Sequence, residues 1–244
     1  MNLSPKVNYQ QLEADNKCYF YNLDSAPDFK PEYFLSRHWQ QQDAIIGTAQ
    51  GRGTTWFIKH EAQQWVLKHY YRGGLIGKIL KDSYLFTGIA QTRSVAEFKL
   101  LSQLIEHKLP APTPIACAVK RTGLCYQADL LTSRIANAKD LVAILSEQTV
   151  DKQLWQKVGK VVKRFHDHGV YHHDLNIHNI LIDEQEKVWL IDFDRGKVIK
   201  PAAKWQQANI ARLQRSFFKE QNRLDKFYWQ KEDFDALMLG YQST

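Results

Sequence analysis

Between residues 92 and 108 apolar side chains recur at Val95, Phe98, Leu101, Leu104 and Ile105, a spacing that places them on one face of a helix. Pro110, Pro112 and Pro114 end the pattern, because proline lacks the N–H that a helix interior needs. Ahead of that helix the chain reads as strands. Residues 47–59 (GTAQGRGTTWFIK) form a glycine-containing turn between two of them, and residues 65–71 (WVLKHYY) are rich in β-branched and aromatic strand formers, followed by the pair Gly73-Gly74. A further strand pair is predicted after the helix, ending near Tyr126 to Leu131.

The pattern then changes. Asp151 is placed to cap a helix that buries Leu154, Val158, Val161, Val162 and Phe165, and Gly169 stands where that helix stops. The loop YHHDLNIHN comes next. Ile180 to Ile182 and Val188 to Ile191 read as short strands joined by the polar turn Asp183 to Lys187, a hairpin leading into Asp192. Residues 202–221 and 231–240 read as two amphipathic helices. The expected class is therefore α+β: a strand-rich first lobe over residues 1–130, a helical second lobe over residues 131–244, a hinge near residues 130–138 and a cleft between the lobes.

Composition narrows the function classes without choosing one. A chain of 244 residues with 44% hydrophobic and 24% charged residues is that of an ordinary globular protein rather than a disordered one. The three cysteines, Cys18, Cys117 and Cys125, are odd in number and lack C-x-x-C spacing, which supports neither a disulfide framework nor a zinc site and suits a reducing cytoplasm. The opening MNLSPKVNYQQ has no apolar core of signal-peptide length, and no run approaches the ~18 apolar residues of a membrane span. The expectation is a protein neither secreted nor integral to a membrane. A net charge of +7 favours anionic partners: nucleotide, nucleic acid, acidic lipid or acidic sugar. No nucleic-acid-binding motif accompanies the charge, so no nucleic-acid partner is expected, and no obligate protein partner is evident.

Chemistry is concentrated in His172-His173-Asp174-Leu175-Asn176-Ile177-His178-Asn179 and, after the apolar hairpin, Ile191-Asp192-Phe193-Asp194. This is the H-x-D-x-x-x-x-N catalytic-loop pattern and the metal-binding D-F of the protein-kinase fold. In that reading Asp174 accepts the proton of an acceptor hydroxyl, Asn179 turns back toward a magnesium ion, and Asp192 meets the same ion from the far end of the hairpin. A lone loop Asp or Asn more often caps a turn, so the joint spacing carries the assignment. His172 is read as holding the loop. The neighbouring histidines do not make a zinc pair, since His168 and His172 straddle the stop at Gly169.

In the first lobe Lys68 lies in a strand, after a glycine turn and before a helix carrying Glu97, the succession that allows a Lys–Glu pair to aim an ammonium group at the α and β phosphates of ATP. Lysine in a strand also faces solvent commonly, and Ser94-x-x-Glu97 also fits a helix capping box. The turn holding Gly51 and Gly53 offers backbone N–H groups to phosphates, but it lacks G-x-G-x-x-G spacing and suits a plain hairpin equally well.

The stretches GRGTTWF, HYYRGGLIGK, RSVAEF, CYQADLLT, HHDLNIHNILI and LIDFDRG resemble the small bacterial kinases of lipopolysaccharide core sugars, most closely those acting on 3-deoxy-D-manno-octulosonic acid (Kdo). The likeness runs from about Gly47 to the C-terminal helices. It implies ATP and Mg2+ as cofactors, transfer to a Kdo hydroxyl (the 4-position) on lipid A precursor, and peripheral association with the cytoplasmic face of the inner membrane. Departures from protein kinases suit a non-protein acceptor: Asp192-Phe193-Asp194 replaces D-F-G and no A-P-E follows. Arg72, Lys78, Lys81, Lys204, Arg212, Arg215 and Lys219 are candidates to meet the Kdo carboxylate, lipid A phosphates or anionic head groups, with Arg72 the expected carboxylate clamp. The competing readings are a heptose kinase, an aminoglycoside-type phosphotransferase, a small protein kinase, or an inactive kinase fold serving as a binding module.

Overall fold

The computed structural model describes residues 8–51, 53–72 and 81–243; Gly73-Gly74 and Lys78 lie outside them. The chain divides into two compact units, Met1–His107 with Pro112–Ile135, and Lys108–Ala111 with Ala136–Thr244.

The first unit is built on an antiparallel eight-stranded sheet in the order β1-β2-β7-β8-β5-β4-β3, with β6 paired to β8 beside it. Its strands are β1 (Tyr9–Ala14), β2 (Lys17–Asn22), β3 (Ile45–Gln50), β4 (Thr54–His60), β5 (Gln63–His69), β6 (Tyr84–Leu85), β7 (Pro114–Thr122) and β8 (Cys125–Ser133). β8 runs through Ser133, whose N–H is bonded to the Thr113 carbonyl at 2.8 Å, so the strand-rich unit extends past the boundary expected at residue 130.

Near the centre of the sheet, β7 is buried from Pro114 to Val119. Ile115, Ala116 and Ala118 join an aromatic cluster of Tyr19, Tyr33, Phe34, Trp39 and Trp65. The short helix α1 (Ser36–Gln41) delivers Trp39 to that cluster, and its indole N–H donates to the Tyr33 carbonyl at 2.9 Å, so the ring is buried without losing its polar partner. The helix α2 (Arg93–Glu106) packs on β7 and buries Val95, Phe98, Leu101 and Leu104, the stripe that its periodicity marks.

The second unit contains β9 (Lys139–Asp140), α3 (Leu141–Glu147), α4 (Lys152–Asp167), β10 (Val170–Tyr171), β11 (Ile180–Ile182), β12 (Val188–Leu190), β13 (Lys197–Val198), α5 (Ala203–Arg223) and α6 (Lys231–Gln242). Residues 108–111 belong with it because the Pro110 carbonyl accepts from Leu190 N–H at 3.0 Å. Asp151 caps α4 through a 2.7 Å bond from Leu154 N–H, satisfying one of the orphan donors of the first turn. Gly169 ends the helix at φ 74°, a conformation that side chains disfavour. α4 and α6 meet backbone to backbone at two glycines. A Cβ on Gly159 would lie 1.9 Å from the Leu237 carbonyl oxygen, and one on Gly240 would lie 2.1 Å from that of Gln156.

Because helix backbone rather than a side-chain tip blocks that space, Gly159→Ala is expected to force the helices apart and destabilise the protein by ~1–3 kcal/mol. Thermal unfolding would register this as a drop of roughly 2–4 °C per kcal/mol. The exposed Lys160→Ala on the same helix is expected to leave the midpoint unchanged, and an unchanged midpoint in Gly159→Ala would contradict this packing.

No helix among the described residues is long and apolar enough to cross a membrane, and the three cysteines are free thiols.

Candidate active site

The loop after α4 is held from below by one buried histidine. His172 Nδ1 accepts from the Asp174 backbone N–H at 3.2 Å, and Nε2 donates to the Ile191 carbonyl at 3.0 Å. These two partners require a neutral ring carrying its proton on Nε2. Burial also lowers the pKa, so the neutral form is favoured by both solvation and hydrogen bonding. The ring packs on fully buried Phe193 at 4.8 Å, and Phe193 stacks on Phe165 of α4 at 5.6 Å. His172 therefore joins the two ends of the motif, the stretch before Asp174 and the stretch before Asp192.

Around it, backbone and amide groups fix the loop. The Asp174 carbonyl accepts from the side-chain amides of Asn176 and Asn179, each at 2.9 Å. The Asn179 carbonyl accepts from Ile191 N–H at 3.0 Å, in register with the β11–β12 pairing that begins at Ile180 and Leu190. Asn179 is buried, whereas the Asp174 carboxylate is exposed. Asp192 follows Ile191 directly, is exposed, and adopts φ 61°, a left-handed conformation that Asp and Asn tolerate better than most residues. The structure thus gathers Asp174, Asn179 and Asp192 around one hydrogen-bonded core.

α5 clamps this loop from one face. Arg212 Nη1 donates to Asp174 Oδ1 at 3.0 Å, Ser216 Oγ accepts from Ile177 N–H at 3.0 Å, and Glu220 Oε1 pairs with His178 Nε2 at 3.2 Å. Residues 212, 216 and 220 are spaced i, i+4, i+8, so they share a face. Burial would raise the Glu220 pKa, but hydrogen bonds from Arg223 and His178 hold it below the usual carboxylate range. None of these contacts is evident from the sequence, which marks Arg212 only as one of several basic residues. The four-residue spacing of Arg212, Ser216 and Glu220 was the one available signal.

In the strand-rich unit, Lys68 of β5 and Glu97 of α2 form an ion pair, Nζ to Oε2 at 3.6 Å. Glu97 is buried and also accepts the Tyr70 hydroxyl, while the Lys68 ammonium lies 4.9 Å from the centre of the Tyr70 ring. The capping-box alternative for Glu97 does not form. Thr92, not Ser94, is the N-cap residue, and Ser94 Oγ instead donates to the Ala118 carbonyl at 3.1 Å.

Gly51 and Gly53 occupy the turn between β3 and β4, closed by Gly51 N–H to the Gly53 carbonyl at 3.1 Å. A Cβ on Gly53 would lie 1.8 Å from the Tyr71 ring, so the ring packs on the glycine and would have to move aside for a side chain. Arg72 lies 5.1 Å from the centre of the Tyr84 ring, which also carries Arg93 at 5.0 Å. Beside this group His69 is bracketed by Asp129 at 2.6 Å and Asp82 at 3.1 Å. Burial opposes its charge, yet the two carboxylates raise its pKa above the ordinary value.

Among the described residues, no set of three His, Cys, Asp or Glu side chains converges as a metal site. Magnesium does not require one, because it is usually held by one or two carboxylates together with substrate phosphates and water. The hard oxygens of Asp192 and Asn179 at neighbouring backbone positions fit that donor set.

Known proteins bring a second line of argument. A protein from Photobacterium damsela subsp. piscicida, named 3-deoxy-D-manno-octulosonic acid kinase, is 49% identical over 215 residues, 88% of this chain and 89% of its own. A protein of the same name from Vibrio vulnificus (strain YJ016) is 47% identical over 242 residues, covering 97% and 99%. Another from Haemophilus influenzae (strain PittEE) is 43% identical over 243 residues, covering 95% and 99%. With residues 36–241 matching the family as a whole, from α1 through nearly all of α6, the chain belongs to the lipopolysaccharide kinase (Kdo/WaaP) family.

Proposed function

We propose that this member of a kinase family transfers the γ-phosphoryl group of ATP to the 4-hydroxyl of Kdo on lipid A precursor. The observation that carries the chemistry is the bonded core in which His172 and Asn179 tie the loop of Asp174 to the strand end before Asp192. It holds a carboxylate for the acceptor and oxygen donors for a cation on one rigid support, as phosphoryl transfer requires, since catalysis there is almost entirely positioning and charge stabilisation. The acceptor class rests on the relatives' names, at 43–49% identity over most of the chain.

In this mechanism Asp174 accepts the acceptor's hydroxyl proton as the oxygen attacks. A bond forms from that oxygen to the γ-phosphorus, the bond from the γ-phosphorus to the bridging oxygen breaks, and ADP leaves with that electron pair. Asn179 and Asp192 would hold magnesium, which when bound would offset phosphate charge. Lys68, restrained by Glu97, binds the α and β phosphates, and Gly51 and Gly53, lacking side chains, let the nucleotide approach the β3–β4 turn. The exposed cations Lys204, Arg215 and Lys219 on α5 suit anionic head groups, and with them peripheral attachment to the cytoplasmic face of the inner membrane.

Incubation with labelled ATP and magnesium tests this reading against four acceptors: Kdo-bearing lipid A precursor, the same lipid without Kdo, a heptose-bearing core, and a generic peptide. Label is expected on the Kdo-bearing lipid alone. Equal label on the Kdo-free lipid, or preference for heptose or peptide, would refute it.

A further inference from the structure

Arg212 is ion-paired to the proposed base. One of its N–H groups donates to Asp174 Oδ1 at 3.0 Å, and both side chains are about half exposed, at 44% and 54%. A guanidinium presents five donors in a planar fork, so this contact leaves an edge able to take a second carboxylate without giving up the first. Arg212 makes no other hydrogen bond or ion pair among the described residues.

Its position is set by the helix. Ser216 and Glu220, one and two turns further along α5, are fastened to Ile177 and His178 of the same loop. No acid on α5 competes for the guanidinium: Glu220 is the helix's one carboxylate, and it is buried against His178 and Arg223. Exposed pairs of this kind contribute little to stability, so the Arg212–Asp174 contact is not explained as a structural prop.

Resting on the Kdo reading above, we infer that Arg212 is the specificity-determining residue that binds the acceptor's carboxylate and so presents the neighbouring hydroxyl to Asp174. The expected clamp, Arg72, belongs to the strand-rich unit. Its guanidinium lies against Tyr84, and its contacts lie within that unit. Arg212, in contrast, already touches the group that takes the proton. An acidic sugar bound to its open edge would have its hydroxyl held beside Asp174, whereas a neutral sugar of the same shape would leave the guanidinium unpaired and lose that orientation.

The test compares kcat/KM for Kdo-bearing lipid A precursor and for its carboxyl methyl ester, which keeps the hydroxyls and removes the charge. Wild-type protein is expected to prefer the acid by roughly tenfold to a hundredfold, the range that a charge-assisted hydrogen bond provides. In Arg212→Gln the ratio should collapse toward one, chiefly through loss on the acid. Arg212→Lys, which keeps the charge without the fork, should fall between. Arg72→Gln should keep the wild-type ratio, and the KM for ATP should not change in Arg212→Gln. Thermal midpoints of all variants establish that they are folded. An Arg212→Gln enzyme that loses activity equally on both acceptors, with the ratio intact, would reduce Arg212 to holding Asp174 and overturn the inference. So would a ratio that collapses in Arg72→Gln instead. A wild-type enzyme that labels neither Kdo lipid would overturn the proposed function itself, and this inference with it.

Discussion

Asp192→Asn is expected to lower phosphoryl transfer by roughly a thousandfold or more, because groups that neutralise the charge of a transferring phosphoryl are worth ~10³–10⁵ in rate. Asparagine is the informative substitution here. Asp192 holds φ 61°, where Asn is also accommodated, so the variant removes charge without the backbone strain that alanine would add. Phe193 remains buried between His172 and Phe165 and keeps the segment in place. The expected signature is a folded protein with an unchanged thermal midpoint and a much higher magnesium requirement. Near-normal turnover at ordinary magnesium concentration would remove Asp192 from the metal site.

Asp174→Asn should cost ~10²–10⁴ in kcat, the range for proton transfer by a positioned side chain, with ATP affinity largely retained. The substitution leaves the backbone carbonyl that Asn176 and Asn179 hold, so the loop should persist. It weakens the ion pair to Arg212, which contributes little to stability when exposed. If the folded variant failed to bind ATP, Asp174 would instead be acting on the nucleotide or its metal.

The parts legible in the sequence are those set by neighbours along the chain. The stripe of α2, the Asp151 cap, the stop at Gly169 and the spacing from His172 to Asp192 depend on contacts over short separations or on motif spacing. Glu97 marks where local reading runs out. From sequence, the inward face shared with Leu101 and Leu104 favours ion pairing, but the Ser94-x-x-Glu97 spacing also fits capping. What separates them is Ser94 bonding to Ala118, 24 residues away on β7, while Glu97 faces Lys68 on β5. Arg212 is one of several basic candidates in the sequence, and nothing local singles it out: its partner Asp174 is 38 residues distant, and an exposed arginine on an amphipathic helix looks like any solvated cation. The β1–β2 hairpin was silent because β1 (YQQLEA) is almost wholly exposed and shows no alternation of buried and exposed positions. Gly53 was visible as a turn residue, but its packing against the Tyr71 ring is set only by tertiary structure.

The most direct test is to identify the product. Purified protein, ATP, magnesium and Kdo-bearing lipid A precursor would be incubated to completion and the phosphorylated lipid characterised by phosphorus NMR and mass spectrometry. A single new phosphate monoester on the Kdo ring, at its 4-hydroxyl, formed with stoichiometric ADP and absent with Asp174→Asn over the same interval, is the result predicted. A phosphate on the lipid A sugars, phosphate released to water without transfer, or equal product from Asp174→Asn would contradict it.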